Sequence, residues 1–578
     1  MRIVLDIETN SKHDKIWCVV TRNIDTDEVN TYKDSYGIGW DLQDDLNKAT
    51  EIITHNGIFF DFPVLKQVWG ITVKKSQVVD TLVLARLFDP SIENGHSLEA
   101  WGERLGHYKA PYKKIWSWMT GKPLITEDEK GKKVDQSHLA FDEPVFPLLH
   151  SYCKQDTQVT AELYKHLTKE MANGFSKESI TLEHQVAIII AQQERNGFKF
   201  DERKALQLLS LLKTKLDSIQ VEMEAIFPPI VESGRTHKTS GKPLKDIVTP
   251  FNPGSRKQIA ERLIAKGWKP KKHTEKGSVI VDETTLEGLD FPEAKAIAEY
   301  LMLQKRIAQI ESWIEAVGKD GRVHGRVITN GAISGRATHM SPNMAQIPNM
   351  DAVYGKECRE LWTVDKGNKI VGVDLAQLEL RCLAHYMQDE DYTNTLLSGD
   401  IHEKNRQAAG LSTRGEAKRF GFAFLYGAGG AKIGEILGCS ASEGQAVINR
   451  YLKAMPKLKQ LRDKVERMSE KGTIPGLDGR RLNIRSAHSA VNTLLQGAGA
   501  IVAKQWIVHT TQELHRNKIP YRLVAWVHDE IQIETPEAYA EQCGKICVEA
   551  ARIAGETLKT RCPMSAEYHI GNNWSESH

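Results

Sequence analysis

Asp6 and Glu8 stand two apart in the opening MRIVLDIETN, where β-branched neighbours predict a strand over Arg2–Ile7. Both carboxylates then fall on one face, and two acids on a half-buried face are costly unless a cation neutralises them. Asp61 follows the local sequence His55-Asn56-Gly57-Ile58-Phe59-Phe60. Tyr152 and Asp156 lie four apart on a predicted helix, again on one face. Four carboxylates and a tyrosine suit two-metal phosphodiester hydrolysis, in which cations about 3.5–4 Å apart activate water and stabilise the leaving oxygen. Any one of these acids alone is more often a solvated surface residue. The ordered set carries the argument.

A second set of acids occupies the C-terminal half. Asp374 ends an apolar strand over Lys369–Val373, and Asp529-Glu530 interrupt a hairpin over Arg522–Ile533 whose tip is His528-Asp529-Glu530. Acids flanked by buried strand residues need a compensating charge, for which a divalent cation is the economical candidate. Lone strand-end aspartates are more often caps; adjacent acids at an apolar hairpin tip are harder to dismiss. Arg414, Lys418, Phe422 and Tyr426 recur every four residues on a helix over 414–426. Two cations followed by two aromatics could hold phosphates at one end and stack on a base at the other, or the aromatics could simply pack a core. His402, in Gly399-Asp400-Ile401-His402, is either a phosphate contact or an ordinary helix-start histidine, and spacing does not choose.

The elements that must position these groups divide the chain. Length, 578 residues, exceeds one compact core. Lys+Arg 77 against Asp+Glu 75 gives a net charge of +2, so no global field announces a polyanion partner. Apolar runs are short, the N-terminus lacks a signal-peptide pattern, and eight scattered cysteines make neither a disulfide framework nor a zinc site, which predicts a reduced cytosolic setting. The first 165 residues alternate strands (Arg2–Ile7, Ile52–Thr54) with helices (Ser97–Leu105, Phe146–Leu167), an α/β domain. Between Glu178 and Phe227 long helical patterns are broken by an Asn196-Gly197 turn, and no strong strand is expected. From Arg235 to Lys276 twelve Lys/Arg face three Asp/Glu in a largely loop-forming stretch, either a solvated surface or a phosphate-neutralising one. A long helix over Ala294–Val317 then carries Lys305 and Arg306.

In its motifs the sequence resembles the family A (DNA polymerase I-like) DNA polymerases. SGRATHMSPNMAQIPN at 334–349, VDLAQLELRCLAHY at 373–386, RxxxKxxxFxxxYG from Arg414 to Gly427 and WVHDEIQI at 526–533 match the ordered palm and finger motifs. DIETN, HNGIFFD and YCKQD match a DEDD-type 3′–5′ exonuclease with tyrosine. LEAWGERLG, QERNGF, FNPGSR, LMLQKRI, NTLLQGAGA and NNW resemble the replicative type found in T-seven-like phages.

The resemblance implies an α/β plus α+β fold, a ribonuclease-H-like exonuclease domain (1–175) followed by a right-hand polymerase. The expected parts are connecting helices and thumb (176–325), palm (326–390 and 486–578, the latter with the catalytic hairpin and C-terminus) and fingers (391–485). It implies two Mg²⁺ ions at each active site, with Mn²⁺ able to substitute. Asp374, Asp529 and the Leu375 carbonyl would be polymerase metal ligands, with Glu530 a further catalytic acid; Asp6, Glu8, Asp61 and Asp156 would be exonuclease ligands, with Tyr152 orienting the attacking water. His402, Arg414 and Lys418 would hold the triphosphate, Tyr426 would sit at the nascent base pair, and Glu379 and Phe422 would exclude a 2′-hydroxyl. Arg336, Gln346, Gln496 and His528 would read the primer-template minor groove, whose acceptors are similar for every correct pair; Lys305 and Arg306 would add DNA contacts.

Implied partners are primer-template DNA, dNTPs, a phage helicase-primase and a single-strand-binding protein, in the cytoplasm of an infected host. Thioredoxin is not expected, because the thumb segment about Ile230–Phe251, where such relatives carry a long insertion, is short. Phe422 stands where the best-known phage relative has tyrosine. A non-catalytic primer-template binder would favour bases over intact carboxylates, and a single-subunit RNA polymerase is opposed by the Glu379–Phe422 gate and the exonuclease motifs.

Overall fold

The computed structural model describes residues 1–578 other than 34–37, 130, 235–236, 238–241, 244, 271 and 275. Arg235, Lys238 and Lys271 of the basic segment lie outside the described residues.

The β-branched N-terminal run becomes Arg2–Thr9, the middle strand of a five-stranded sheet. It pairs antiparallel with Ile16–Asn23 and parallel with Glu51–Thr54, which in turn pairs parallel with Val78–Asp80; Val29–Tyr32 closes the other edge. Period-two alternation sorts the side chains. Ile3, Leu5 and Ile7 enter a core with Leu42, Leu46 and Leu65. Val4 packs on the other face with Val159 and Leu163 of helix Phe146–Met171. Asp6 and Glu8 share the parity of Val4, so the strand points both acids at the helix that carries Tyr152 and Asp156.

Helix Lys177–Asn196 joins this domain to the rest. Leu182, Val186 and Ile190 belong to the large C-terminal core, whereas Ala187 and Ala191 pack on Ile58, Val78 and Val83. Two apolar stripes on one helix make it a two-sided joint.

Helices Glu202–Ile226 and Pro292–Glu315 pack along each other as a stalk. At its tip Met223, Phe227, Phe251, Ile259, Leu263 and Trp268 form a small core around helix Arg256–Ala265. Strands Arg522–Val527, Glu530–Pro536, Asn368–Leu375 and Ala566–Gly571 form an antiparallel sheet in that order, backed by helices Ala490–Arg516 and Ala540–Thr557. Helices Ile401–Ala409, Arg414–Leu425, Gly430–Leu437, Ala441–Ala454 and Pro456–Ser469 stand beyond it.

Several expectations need correcting. Phe198–Phe200 is a strand within the region read as helical, pairing with Arg322–Val323 and Trp362–Thr363. Its partners are more than a hundred residues away, so local periodicity carried no trace of it. The hairpin tip is His528-Asp529, with Glu530 already a strand residue opposite Val527 and Asp374. Ser97 lies outside its helix as the cap of Leu98–Leu105, accepting from the Ala100 N–H. The helix begun at Phe146 runs on to Met171, and the one expected over Ala294–Val317 spans Pro292–Glu315. Tyr426 closes, rather than continues, helix Arg414–Leu425.

Candidate nucleic-acid active sites

In the N-terminal domain Asp6, Glu8, Asp61 and Asp156 are brought together with Tyr152. Glu8, Asp61 and Asp156 are buried. Asp61 begins helix Asp61–Trp69 after a loop held by Asp80, whose carboxylate accepts from the Asn56 N–H (2.8 Å) and the Ile58 N–H (3.1 Å). Asn56 takes φ 71°, and a Cβ on Gly57 would lie 2.4 Å from Thr54 Oγ1, so the local Asn-Gly pair meets a backbone requirement.

Burial, then the neighbouring Asp156 and Asp61, holds Asp6 well above the ordinary carboxylate range. Burial and then Asp6 do the same to Glu8. Burial and then Asp80 push Asp61 up to about 8. Asp156 is raised by burial despite Lys109, whose Nζ donates to Asp156 (2.7 Å) and to the Tyr152 hydroxyl (2.9 Å). The other Asp156 oxygen is buried without a partner. One lysine among four carboxylates, three of them buried and Asp6 half-buried, leaves negative charge uncompensated among the described residues, and carboxylate oxygens suit a hard divalent cation. The residues therefore fit Mg²⁺.

Two members of this site were missed. Lys109 gave no spacing signal, because it lies on a loop reaching in from outside the acid motifs. Cys153, adjacent to Tyr152, is fully buried and its Sγ donates to Asp6 Oδ2 at 3.2 Å. Asp6, Glu8 and Cys153 present donor atoms within 4.8 Å of one another, and the YCKQD motif did contain that cysteine.

In the C-terminal half the sheet places Asp374 at the end of its strand and Asp529 at the neighbouring turn, where the Leu375 N–H donates to the Asp529 carbonyl at 2.9 Å. Burial and then Asp529 push Asp374 up to about 7; burial and then Glu379 push Asp529 up to about 6. These groups also fit a divalent cation.

Glu530 is differently placed. Its Oε1 accepts from Gln532 Nε2 (2.6 Å) and from the Trp574 indole N–H, while His578 Nδ1 lies 3.3 Å from Oε2. Burial alone would raise it, but His578, Arg359 and Trp574 hold it below the ordinary range. Its bonds tie it to the sheet's supports.

Around this centre Glu379 is a hub. Its Oε1 accepts from Arg336 (2.7 Å) and lies 3.4 Å from the Tyr426 hydroxyl. His528, at φ 57°, is edge-on to His339 with centroids 6.4 Å apart. Asp400 caps helix Ile401–Ala409, accepting from the His402 N–H (3.0 Å), and pairs with Arg414 Nε (2.6 Å). That one acid, which the sequence reading gave no role, brings His402 and Arg414 together. Lys418 is exposed on helix Arg414–Leu425, and half-buried Phe422 of that helix stands 6.3 Å from the His402 ring.

Gln346 is exposed on a cavity of about 490 Å³ shared with Gln309, Ser312, Trp313 and Asn343, and Gln496 is half-buried on helix Ala490–Arg516. The Lys305–Arg306 pair splits. Lys305 is exposed, whereas Arg306 is buried and donates to the Val353 carbonyl and to Gln309. Adjacent helical residues point about 100° apart, so the two do not form one surface. No helix among the described residues is long and apolar enough to cross a membrane.

Known proteins bear on this arrangement. The family model "DNA polymerase family A" matches residues 232–576. The DNA-directed DNA polymerases of Enterobacteria phage T3 and Escherichia phage T7 are each 32% identical over 713 aligned positions covering all of both chains, so the relatives carry segments these 578 residues lack. DNA polymerase I of Aquifex aeolicus is 26% identical over 95% of this chain and 92% of its own. The polymerase domain of Pol1 from M. smegmatis, solved with DNA primer-template and dNTP, shares the fold at TM-score 0.80 and 17% identity, covering 100% of this chain and 96% of that one. With its carboxylates gathered at the sheet end and its sequence matched along the whole length, the chain belongs to DNA polymerase family A.

Proposed function

We propose that this DNA-directed DNA polymerase extends primer 3′ ends at Asp374 and Asp529 and removes mismatched ends at a separate 3′–5′ exonuclease centre built on Asp6, Glu8, Asp61 and Asp156. The observation that carries the first half is the Leu375–Asp529 backbone bond, which fixes the two raised carboxylates side by side. Asp374, Asp529 and the Leu375 carbonyl would hold Mg²⁺. The ions supply charge stabilisation for the attacking and departing oxygens. His402, Arg414 and Lys418 hold the triphosphate, the two cations neutralising its charge, and Arg414 is oriented for it by Asp400. Glu379 and Phe422 crowd the sugar, Tyr426 sits at the nascent pair, and Arg336, Gln346, Gln496 and His528 check the minor groove.

The second half rests on four carboxylates, three buried and Asp6 half-buried, with Lys109 among them at one face of the five-stranded mixed sheet. Asp6, Glu8, Asp61 and Asp156 would hold the second pair of ions; Tyr152, its hydroxyl fixed by Lys109, orients water. Primer-template DNA and dNTPs are the substrates, and phage genome replication is the setting that the T3 and T7 relatives favour. The short tip segment, about Ile230–Phe251, argues for extension without thioredoxin.

Primer extension with dNTPs, with NTPs and from a 3′-mismatched primer tests this reading. dNTPs should be incorporated, NTPs refused and the mismatch trimmed. Asp6→Ala with Glu8→Ala should abolish trimming and spare extension. A double variant that still trims would place the nuclease elsewhere, and long products appearing upon addition of thioredoxin would correct the partner assignment.

A further inference from the structure

The segment His107–Lys122, HYKAPYKKIWSWMTGK, interleaves aromatics with lysines, and its two faces do different things. Tyr112 and Trp116, four apart on helix Tyr112–Thr120, point inward. Tyr112 donates to the Ala140 carbonyl (2.5 Å) and its ring lies 5.2 Å from that of Tyr152; Trp116 is fully buried and donates to the Glu143 carbonyl (2.9 Å). Lys114 and Trp118 follow those anchors by two residues, about 200° around the helix, and so face solvent. Trp118 is 83% exposed and Tyr108 73% exposed. These two exposed rings, with exposed Lys113 and Lys114 between them in sequence, offer stacking faces beside positive charge.

The surface is built against the Asp6 centre. Gln155, next to Asp156, clamps the loop on both sides of Lys109: its Nε2 donates to the Tyr108 carbonyl (2.7 Å) and its Oε1 accepts from the Ala110 N–H (2.9 Å). Lys109 between them reaches Asp156 and Tyr152. Tyr108 therefore leaves the carboxylates on a fixed backbone, and the helix starting at Tyr112 carries Lys114 and Trp118 outward from there.

We infer that Tyr108, Lys114 and Trp118 form a platform for single-stranded DNA, on which unpaired nucleotides of a frayed primer stack while its 3′ end enters the Asp6 centre. This rests on the exonuclease reading above. Bases stack on aromatic faces regardless of sequence, and a lysine between the rings meets the backbone phosphate. That tolerance is what an excision site needs, because any 3′ end can be wrong. A purely apolar protein contact would not call for lysines between its aromatics.

The test uses the full chain and a single-stranded dT oligonucleotide of about ten nucleotides. Trp118→Ala and Tyr108→Ala should each raise the KM for excision about tenfold with kcat unchanged, and Trp118→Phe, which keeps a ring, should stay near wild type. Extension of a matched primer should not change. Lys114→Ala should flatten the salt dependence of KM by up to about 0.7 log unit. Photocrosslinking an oligonucleotide bearing 5-iododeoxyuridine, in EDTA, should label the peptide carrying Tyr108 or Trp118 whether or not excision occurs. Crosslinks confined to other peptides, or a KM indifferent to both alanine variants in a wild type that trims, would overturn the platform and leave the face to a protein partner. A wild type that trims nothing but still crosslinks here would overturn the exonuclease reading and keep the platform.

Discussion

The Leu375 N–H donates to the carbonyl of Asp529 at 2.9 Å. This bond continues the ladder in which Asp374 is register partner to Glu530, and it carries the pairing one step past the strand into the turn. Asp374 and Asp529 are thus set by sheet register rather than by their own side-chain contacts, so a side-chain change at 529 should leave the backbone frame standing. Asp529→Ala is expected to fold, to bind primer-template near wild-type affinity and to lose extension by orders of magnitude. Glu530→Gln should behave differently, losing about 1.5–3 kcal/mol of stability through its bonds to Trp574, Gln532 and His578, with a smaller effect on extension. Thermal melts beside single-turnover extension separate the two; extension by Asp529→Ala within tenfold of wild type would remove that residue from the centre.

The raised carboxylates also fix a sign for the pH response. Asp374 at about 7 and Asp529 at about 6 lie above the ordinary 3.8. Through that window these two carboxyls hold more protons in the folded chain than in the unfolded one, so their contribution to stability in EDTA should fall as pH rises from about 4 to about 7, against the opposite contribution of His55, His96 and His339, which burial lowers to about 4. A divalent cation replaces those protons, so Mg²⁺ should raise Tm more at about pH 7.5 than at about pH 5. Asp374→Asn with Asp529→Asn should shrink the pH slope and leave whatever Asp61 and its neighbours contribute. A slope unaltered by the double variant would show that neither carboxyl changes its protonation in this window on folding.

Lys109 has two opposed effects that its removal should separate. Its charge beside Asp156 competes with a cation, while its bond to Tyr152 holds the hydroxyl in place. Lys109→Met should therefore lower the Mg²⁺ concentration needed for half-maximal excision and also lower the maximal excision rate, about tenfold for one lost charge-assisted bond. Extension should be unchanged. If both excision parameters match wild type, Lys109 is a bystander.

What the sequence revealed was local. DIETN and YCKQD fixed the parity of Asp6 and Glu8 and the helical spacing of Tyr152 and Asp156, because strand and helix periods are properties of a few adjacent residues. The hairpin and the Arg414 helix were legible for the same reason. Lys109, Asp400 and strand Phe198–Phe200 were not, since each acts through a partner set by tertiary folding. Arg306 shows the converse: a basic residue beside Lys305 reads as surface until the helix rotation turns it inward against Val353.

Phe422 offers a specificity test. In a closed site an incoming nucleotide's 3′-hydroxyl can donate towards its own phosphate; a dideoxynucleotide leaves that acceptor undersatisfied where water is excluded. A tyrosine at 422 could place a hydroxyl in the gap, which phenylalanine cannot. One charge-assisted bond corresponds to about 1.5–3 kcal/mol, roughly ten- to a hundredfold in selection. The enzyme should discriminate against dideoxynucleotides, and Phe422→Tyr should relieve much of that with little change for dNTPs. Equal dNTP/ddNTP ratios for the two proteins would reduce Phe422 to a packing residue.

The joint between the two halves rests on a buried ionic cluster. Glu183, on the two-sided helix Lys177–Asn196, accepts from Lys504 Nζ (2.7 Å) and Arg480 (2.5 Å) with all three side chains at most 2% exposed. Lys504 also donates to Asn330 (2.6 Å), and Arg480 is shared with Asp478 (2.6 Å). Burial pulls Lys504 down to about 8 even with Glu183 beside it. Removing the acid leaves two cations in a dry site, so Glu183→Ala should lose about 3–5 kcal/mol. Arg480 keeps Asp478, whereas Lys504 loses its acid, so most of the penalty should sit on Lys504. Adding Lys504→Met to Glu183→Ala should then recover a substantial part of the loss, because a buried pair is often replaced by apolar side chains at little net cost. Denaturant melts of the two single variants and the double variant give the coupling directly. Strictly additive losses would mean that the cluster contributes through packing, and that Glu183 is not the counter-ion that keeps the joint charged and closed.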